Sequence, residues 1–306
     1  MNKTKPYLFM LMMVCCIVIT TACLSDIKLP NIKLPEKETE DLIEWSYTGP
    51  GNPGHWGELD STYVECSTGQ KQSPINMVTE KIKSTDKRNE KVVPIEFYLQ
   101  PMEVGFINNG HTIQITGINS HNTMTVDGKS YRFKQIHFHH PGEHQFNLSA
   151  YPIEIHFVHQ TDDGSEYAVL AVMVKPGKEN LELKKLWDIF PDVKTDTQIK
   201  VASQIDPREL LPNNIRSYRY NGSLTTPPCS EKVHWVILKK AVEWSQEQID
   251  LFAKAFPNNS RPIQYLNDRP ILTEPKDAKT EFNNNPNGSP DPSGSPTPKS
   301  STAPTK

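Results

Sequence analysis

The sequence is poor in charged blocks, in long apolar runs, in cysteine and in helical periodicity, and each shortage removes a class of protein. Lys and Arg total 33 against 36 Asp and Glu, a net charge of −3, with no basic run beyond short lysine pairs. Nothing resembles a nucleic-acid-binding face. The main apolar run, Tyr7–Ile19, is shorter than the roughly 20 residues of a spanning helix. Of five cysteines, Cys15, Cys16 and Cys23 lie near the N-terminus, so Cys66 and Cys229 can make at most one bridge in the body. Helix signals are confined to Leu181–Trp187 and to Ser245–Phe256, where Ser245 and Gln248 are spaced as a capping box. What remains is a chain of 306 residues, 36% hydrophobic and 23% charged, long enough to bury a sizeable core as one domain.

The two ends stand apart in composition. Lys3 and Lys5, the apolar run and Thr20-Thr21-Ala22 make residues 1–22 a secretory signal peptide. Cleavage before Cys23 leaves a cysteine first, as in bacterial lipoprotein maturation, although Thr20 stands where such signals carry leucine. The expected location is therefore outside the cytoplasm, at the cell surface or in the periplasm, with Cys23 the candidate lipid anchor; plain secretion and a retained membrane anchor are the alternatives. Residues 23–40 repeat Ile-Lys-Leu-Pro at 27–30 and 32–35, where proline opposes helix and lysine opposes burial, and read as a tether. Residues 281–306 are rich in Asn, Pro, Ser and Thr and are expected to be disordered, because they offer too little apolar surface to offset ordering entropy. The folded part is placed at 41–280.

Inside that span, short alternating segments separated by turn signals read as strands: Val92–Tyr98, Val104–Ile107, Thr112–Ile118, Asn122–Val126, Tyr131–Phe138, Ile153–Val158, Ala168–Val174 and Val233–Leu238. The segment around Trp45, Tyr47, His55 and Trp56 reads as irregular structure pinned by aromatics. The fold class is mainly β.

Two of these strands carry chemistry. In Gln135-Ile136-His137-Phe138-His139 the two histidines share one face, because side chains alternate along a strand. In Glu154-Ile155-His156-Phe157-Val158 the histidine shares a face with Glu154 and Val158. If the strands are neighbours, His137, His139 and His156 converge and leave a fourth position open, the ligand set of a catalytic zinc ion. Gln135 and Glu154 stand two residues before a ligand, on the same face, where they can accept the second ring N–H of His137 and His156.

These segments, with Glu143-His144, resemble the core of the α-class carbonic anhydrases. Asn221-Gly222-Ser223-Leu224-Thr225-Thr226-Pro227-Pro228-Cys229 resembles the threonine loop of that family, and Asn108-Asn109-Gly110-His111 its proton-shuttle segment. Trp45-Ser46-Tyr47 and Gln72-Ser73-Pro74-Ile75 match its N-terminal markers, so the resemblance runs in order from about residue 41 to 280. It implies one domain built on a large, mostly antiparallel twisted sheet of about ten strands with short peripheral helices. It implies Zn²⁺ as cofactor and reversible hydration of CO₂ to bicarbonate and a proton through zinc-bound hydroxide, with CO₂ and bicarbonate as the small-molecule partners. The catalytic residues it implies are His111 as shuttle, Glu143 and Thr225 to orient the nucleophile, and Tyr47 to hold the water chain. It places Val158, Val169, Leu224 and Thr226 around the substrate and assigns a backbone carbonyl at Asn259 as acceptor for His139. An exported chain meets an oxidising compartment, so Cys66 and Cys229 are expected to be bridged.

Two other readings compete. A cupin-type metalloprotein also presents His-x-His-x₃-Glu, with Glu143 then a metal ligand, but the glycine six residues before His137 and the Pro-x-Gly turn before His156 are missing. A non-catalytic surface-binding module on the same fold is the other, although His137, His139, His156, Glu143 and Thr225 are all in place.

Overall fold

Strands dominate because β-branched and aromatic residues recur at period two between turns. A computed structural model describes residues 43–82, 92–93, 95–190, 194–195 and 197–274. The proposed signal peptide, tether, Cys23 and C-terminal tail lie outside the described residues.

Twelve strands form one mixed sheet: β1 (Glu96–Tyr98), β2 (Glu103–Asn108), β3 (Ile113–Ile118), β4 (Thr123–Val126), β5 (Lys129–His139), β6 (Ile153–Gln160), β7 (Tyr167–Pro176), β8 (Ile199–Lys200), β9 (Ser217–Gly222), β10 (Val233–Leu238), β11 (Val242–Trp244) and β12 (Leu272–Thr273). The order is β8-β2-β3-β5-β6-β7-β10-β9-β12, with β4 joining β1 to β5 and β11 paired to β7. Pairing is antiparallel except at β7–β10 and β7–β11. Sequence periodicity captures the central strands. It does not capture β8, β9, β11 or β12, which are short or polar and take strand form only by pairing with a neighbour. The expected strand from Val92 is shorter than anticipated and begins at Glu96.

The sheet is buried on both faces. On one, Ile136 and Phe138 of β5, Ile155 and Phe157 of β6, and Leu170 and Val172 of β7 pack against Trp187 and Leu183 of helix α3 (Leu181–Trp187) and Ile249 and Phe252 of helix α4 (Gln246–Ala255). The Ser245–Gln248 capping box is formed, and fixes where α4 begins. On the other face Val158, Val169, Ala171, Trp235 and Ile237 form a second cluster.

Which face the histidines occupy is decided within β5. Phe133 is opposite His159, and Gln135 is opposite Val158, so Lys134 is an extra residue. Such a bulge reverses the alternation of every later side chain. Tyr131 and Phe133 before it, and Ile136 and Phe138 after it, therefore share one core, and His137 and His139 emerge on the other face. His137 then lies directly opposite His156.

Around Trp56 the chain is less irregular than expected, with single helical turns α1 (Trp56–Leu59) and α2 (Glu65–Thr68). Trp56, Cys66 and Cys229 form a third small cluster, against which Trp45 and Tyr47 pack. Cys66 and Cys229 are joined by a disulfide across 163 residues.

Candidate metal centre

Three imidazoles meet above the β5–β6 pair. The ring centroids of His137, His139 and His156 are 4.6–5.0 Å apart, and their nearest donor atoms all fall within 4.8 Å of one another. The outer nitrogen of each ring has a partner. Gln135 Oε1 is 2.9 Å from His137 Nδ1, the Asn259 carbonyl is 2.7 Å from His139 Nδ1, and Glu154 Oε1 is 2.7 Å from His156 Nε2. These acceptors put the N–H on the outside and leave lone pairs on His137 Nε2, His139 Nε2 and His156 Nδ1.

The inward nitrogens fit a metal ion. His137 Nε2 and His156 Nδ1 are 3.2 Å apart, with lone pairs facing. Tetrahedral zinc with Zn–N bonds of about 2.0–2.1 Å places its ligands about 3.3 Å apart. His139 Nε2 is buried with no hydrogen-bond partner, as is Glu143 Oε2, 3.5 Å from it. Burial, reinforced by His139 and His156, pushes the pKa of His137 well below its ordinary value. Burial takes His139 down to about 4 and lowers His156 despite the adjacent Glu154. All three rings are neutral near pH 7, the state that binds metal.

Glu154 is the anchor of the cluster. It is fully buried, and its carboxylate accepts from His156 Nε2, from the His144 backbone N–H at 2.7 Å and from His144 Nδ1 at 2.6 Å. These donors outweigh the burial that opposes ionisation, so its pKa lies well below the usual carboxylate range. His144 is a residue whose importance the spacing of the sequence conceals. It is fully buried, and its Nε2 lies 2.7 Å from the Tyr220 hydroxyl, which donates to Ser73 Oγ at 2.8 Å.

Glu143 is buried beside the histidines. Burial pushes its pKa up to about 7 against the pull of His156, the Arg261 N–H at 2.9 Å and the Thr225 side chain. Arg261 had no sequence signal. Its buried guanidinium donates to Gln72 Oε1, to the Ser73 carbonyl and to the Cys66 carbonyl, each at 2.8 Å, so it ties Glu143 to the disulfide-bearing segment. Thr225 is buried and Thr226 half-buried, three residues before the bridged Cys229. Val158 and Val169 lie in the histidine-side cluster, with Leu224 packed against it.

His111 stands farther out and is half-buried. Its ring stacks on Trp45 with centroids 3.7 Å apart and planes at 13°. Asn109 Oδ1 accepts from the N–H of both His111 and Thr112 at 2.9 Å and so shapes the turn. Partial burial lowers the His111 pKa; Glu44 opposes this and Lys194 adds to it. Tyr47 is held protonated by burial and by Glu143.

The profile described as eukaryotic-type carbonic anhydrase matches residues 51–275, most of the chain. The chain belongs to this carbonic anhydrase family. The carbonic anhydrase of Neisseria gonorrhoeae is 40% identical over 229 residues, spanning 74% of this chain and 87% of that protein. That of Klebsiella pneumoniae is 40% identical over 230 residues, 74% of this chain and 90% of its own length. Among solved structures, an α-carbonic anhydrase from Thermovibrio ammonificans, in complex with the inhibitor sulfanilamide, superposes with a TM-score of 0.70 at 41% identity. It covers 75% of this chain and 98% of its own. The histidine cluster, Glu143, Thr225 and the disulfide all fall inside the span matched by the carbonic anhydrase profile, whereas Trp45 and Tyr47 precede it.

Proposed function

We propose that this chain is a zinc enzyme that hydrates CO₂ reversibly to bicarbonate and a proton. The observation that carries the reading is the set of three inward lone pairs whose rings are each fixed from outside by a hydrogen-bond acceptor. His137 Nε2, His139 Nε2 and His156 Nδ1 would hold the ion. When bound, Zn²⁺ supplies a Lewis acid that makes water nucleophilic near neutral pH, chemistry for which carbonic anhydrase is itself the known example.

The chain's own residues do the rest. The Thr225 hydroxyl donates to Glu143, leaving its oxygen lone pair to accept a hydrogen bond from the O–H of the nucleophile and fix its direction. The Arg261 N–H keeps the Glu143 carboxylate in place. Val158, Val169 and Leu224 offer an apolar wall suited to CO₂, with Thr226 beside it. His111 carries the proton between the pocket and solvent, because an imidazole near neutrality exchanges protons in both directions without a large penalty. Tyr47 helps order the water between them.

Residues 1–22 direct export and Cys23 carries a lipid; labelling with an alkynyl fatty acid that persists in Cys23→Ala would refute the anchor. Within the described residues no helix is long and apolar enough to cross a membrane, and the disulfide is in keeping with an oxidising compartment.

Stopped-flow CO₂ hydration on zinc-loaded and metal-stripped protein tests the main reading. Activity that requires zinc supports it. Equal, negligible rates would leave a binding module on this fold, and CO₂ hydration restored only by iron or manganese would refute zinc as the metal held by the three histidines.

A further inference from the structure

Arg216 and Lys239 stand directly opposite each other at the ends of β9 and β10. The Lys239 N–H donates to the Arg216 carbonyl at 2.8 Å, continuing the ladder in which Ser217 pairs with Leu238. Residues opposite each other in a sheet project from the same face. Here that face is the one shared with Tyr218, and Lys239 Nζ lies 4.6 Å from the centre of the Tyr218 ring.

Two cations are thus held side by side, and among the described residues neither has a carboxylate partner. Glu274, the acid whose charge acts on Lys239, already accepts from the Ser217 N–H and hydroxyl and from Arg219 Nη2. Among the described residues Arg216 Nη2 reaches only the Glu274 backbone carbonyl, at 3.4 Å. Arg216 Nε is buried and donates to nothing. A buried N–H without an acceptor is costly, and so is a like-charge pair. Burial first, and Arg216 second, lower the Lys239 pKa, with Glu274 opposing. Lys239 therefore gives up its proton more readily than a solvated lysine does.

We propose that Lys239 is a CO₂-reactive lysine, forming a carbamate whose carboxylate is received by Arg216. The Nζ lone pair bonds to the carbon of CO₂, one C–O π pair moves onto oxygen, and the surplus proton leaves Nζ for water or bicarbonate. No electron is gained or lost overall. The product replaces a repulsive pair with an ion pair and supplies the acceptor that Arg216 Nε lacks. Formation needs dissolved CO₂ alone, so the site stands or falls independently of the zinc centre.

The test uses the full-length protein, zinc-loaded and metal-stripped, equilibrated with ¹³C-bicarbonate and CO₂ at mildly alkaline pH. Carbamates are trapped by ethylation with a trialkyloxonium salt and located by peptide mass spectrometry. Adduct at Lys239 should exceed that at its exposed neighbour Lys240 several-fold, with or without zinc. Lys239→Arg should abolish it there and leave CO₂ hydration unchanged. Arg216→Leu should lower it several-fold. Labelling of Lys239 no greater than that of Lys240 overturns the proposal, even if Arg216→Leu fails to fold. So does full labelling in a folded Arg216→Leu protein.

Discussion

Glu154→Gln isolates the contribution of one buried carboxylate to the metal centre. The substitution changes little in volume and removes one charge. In the native protein the carboxylate takes three donors, two from His144 and one from His156, at 2.6–2.7 Å. A glutamine can turn its carbonyl toward the two rings, but its NH₂ then faces the His144 backbone N–H. Two donors meet in a fully buried site, at a cost of about 1–3 kcal/mol. If the amide turns the other way, His156 loses its acceptor and its orienting contact. In either geometry His156 Nδ1 is held less firmly toward the ion. Loss of such an outer contact costs about 10–100-fold in metal affinity or activity, or about 1.4–2.8 kcal/mol. Zinc affinity is read by competition with a chelator of known affinity, alongside near-UV circular dichroism to show that Trp235, whose ring centre is 4.9 Å from that of His156, keeps its environment. A folded variant whose zinc affinity falls by less than about threefold would refute the argument that Glu154 orients the ligand.

Other perturbations test separate parts of the account. His111→Ala should lower turnover at low buffer concentration and be rescued by added imidazole; equal turnover of both proteins at every buffer concentration would exclude the shuttle. Because burial depresses the His111 pKa, the ¹H–¹⁵N titration of its ring should have its midpoint below the ordinary 6.5. Reducing the Cys66–Cys229 bridge should cost about 2–4 kcal/mol of unfolding free energy, measured by denaturant titration, and native protein should show no reactive thiol at either position. Glu274 sits in the opposite pH regime. Burial disfavours its charged form, but Ser217 and Arg219 prevail and depress its pKa. A depressed folded-state pKa gives stability that is present above the unfolded value of about 4.3 and lost as pH falls through the folded one. Glu274→Gln should therefore destabilise the protein at pH 7 by about 3 kcal/mol, with the difference shrinking in acid. A gap that is constant from pH 7 to pH 3 would contradict this sign.

Local pattern and tertiary structure divided the description unevenly. Strand periodicity marked the central strands, the capping box marked α4, and alternation along two strands grouped Gln135, His137 and His139 and also Glu154, His156 and Val158. These are properties of neighbouring residues, and a chain of any fold would express them. Pairing with distant partners was not local, and it made strands of Ile199–Lys200 and Leu272–Thr273, which have no pattern of their own. Arg261 was equally silent, since its three carbonyl and amide partners come from residues almost two hundred positions away. The sharpest case is β5. Simple alternation would put Phe133, His137 and His139 on one face, and only the extra residue in the pairing with β6 sends the ring of Phe133 into one core and the two imidazoles out of the other face. The amino acids alone thus named which groups could bind a metal. Bringing three lone pairs to one point required the β5–β6 register, because that distance depends on how two strands slide past each other and not on the order of residues within either.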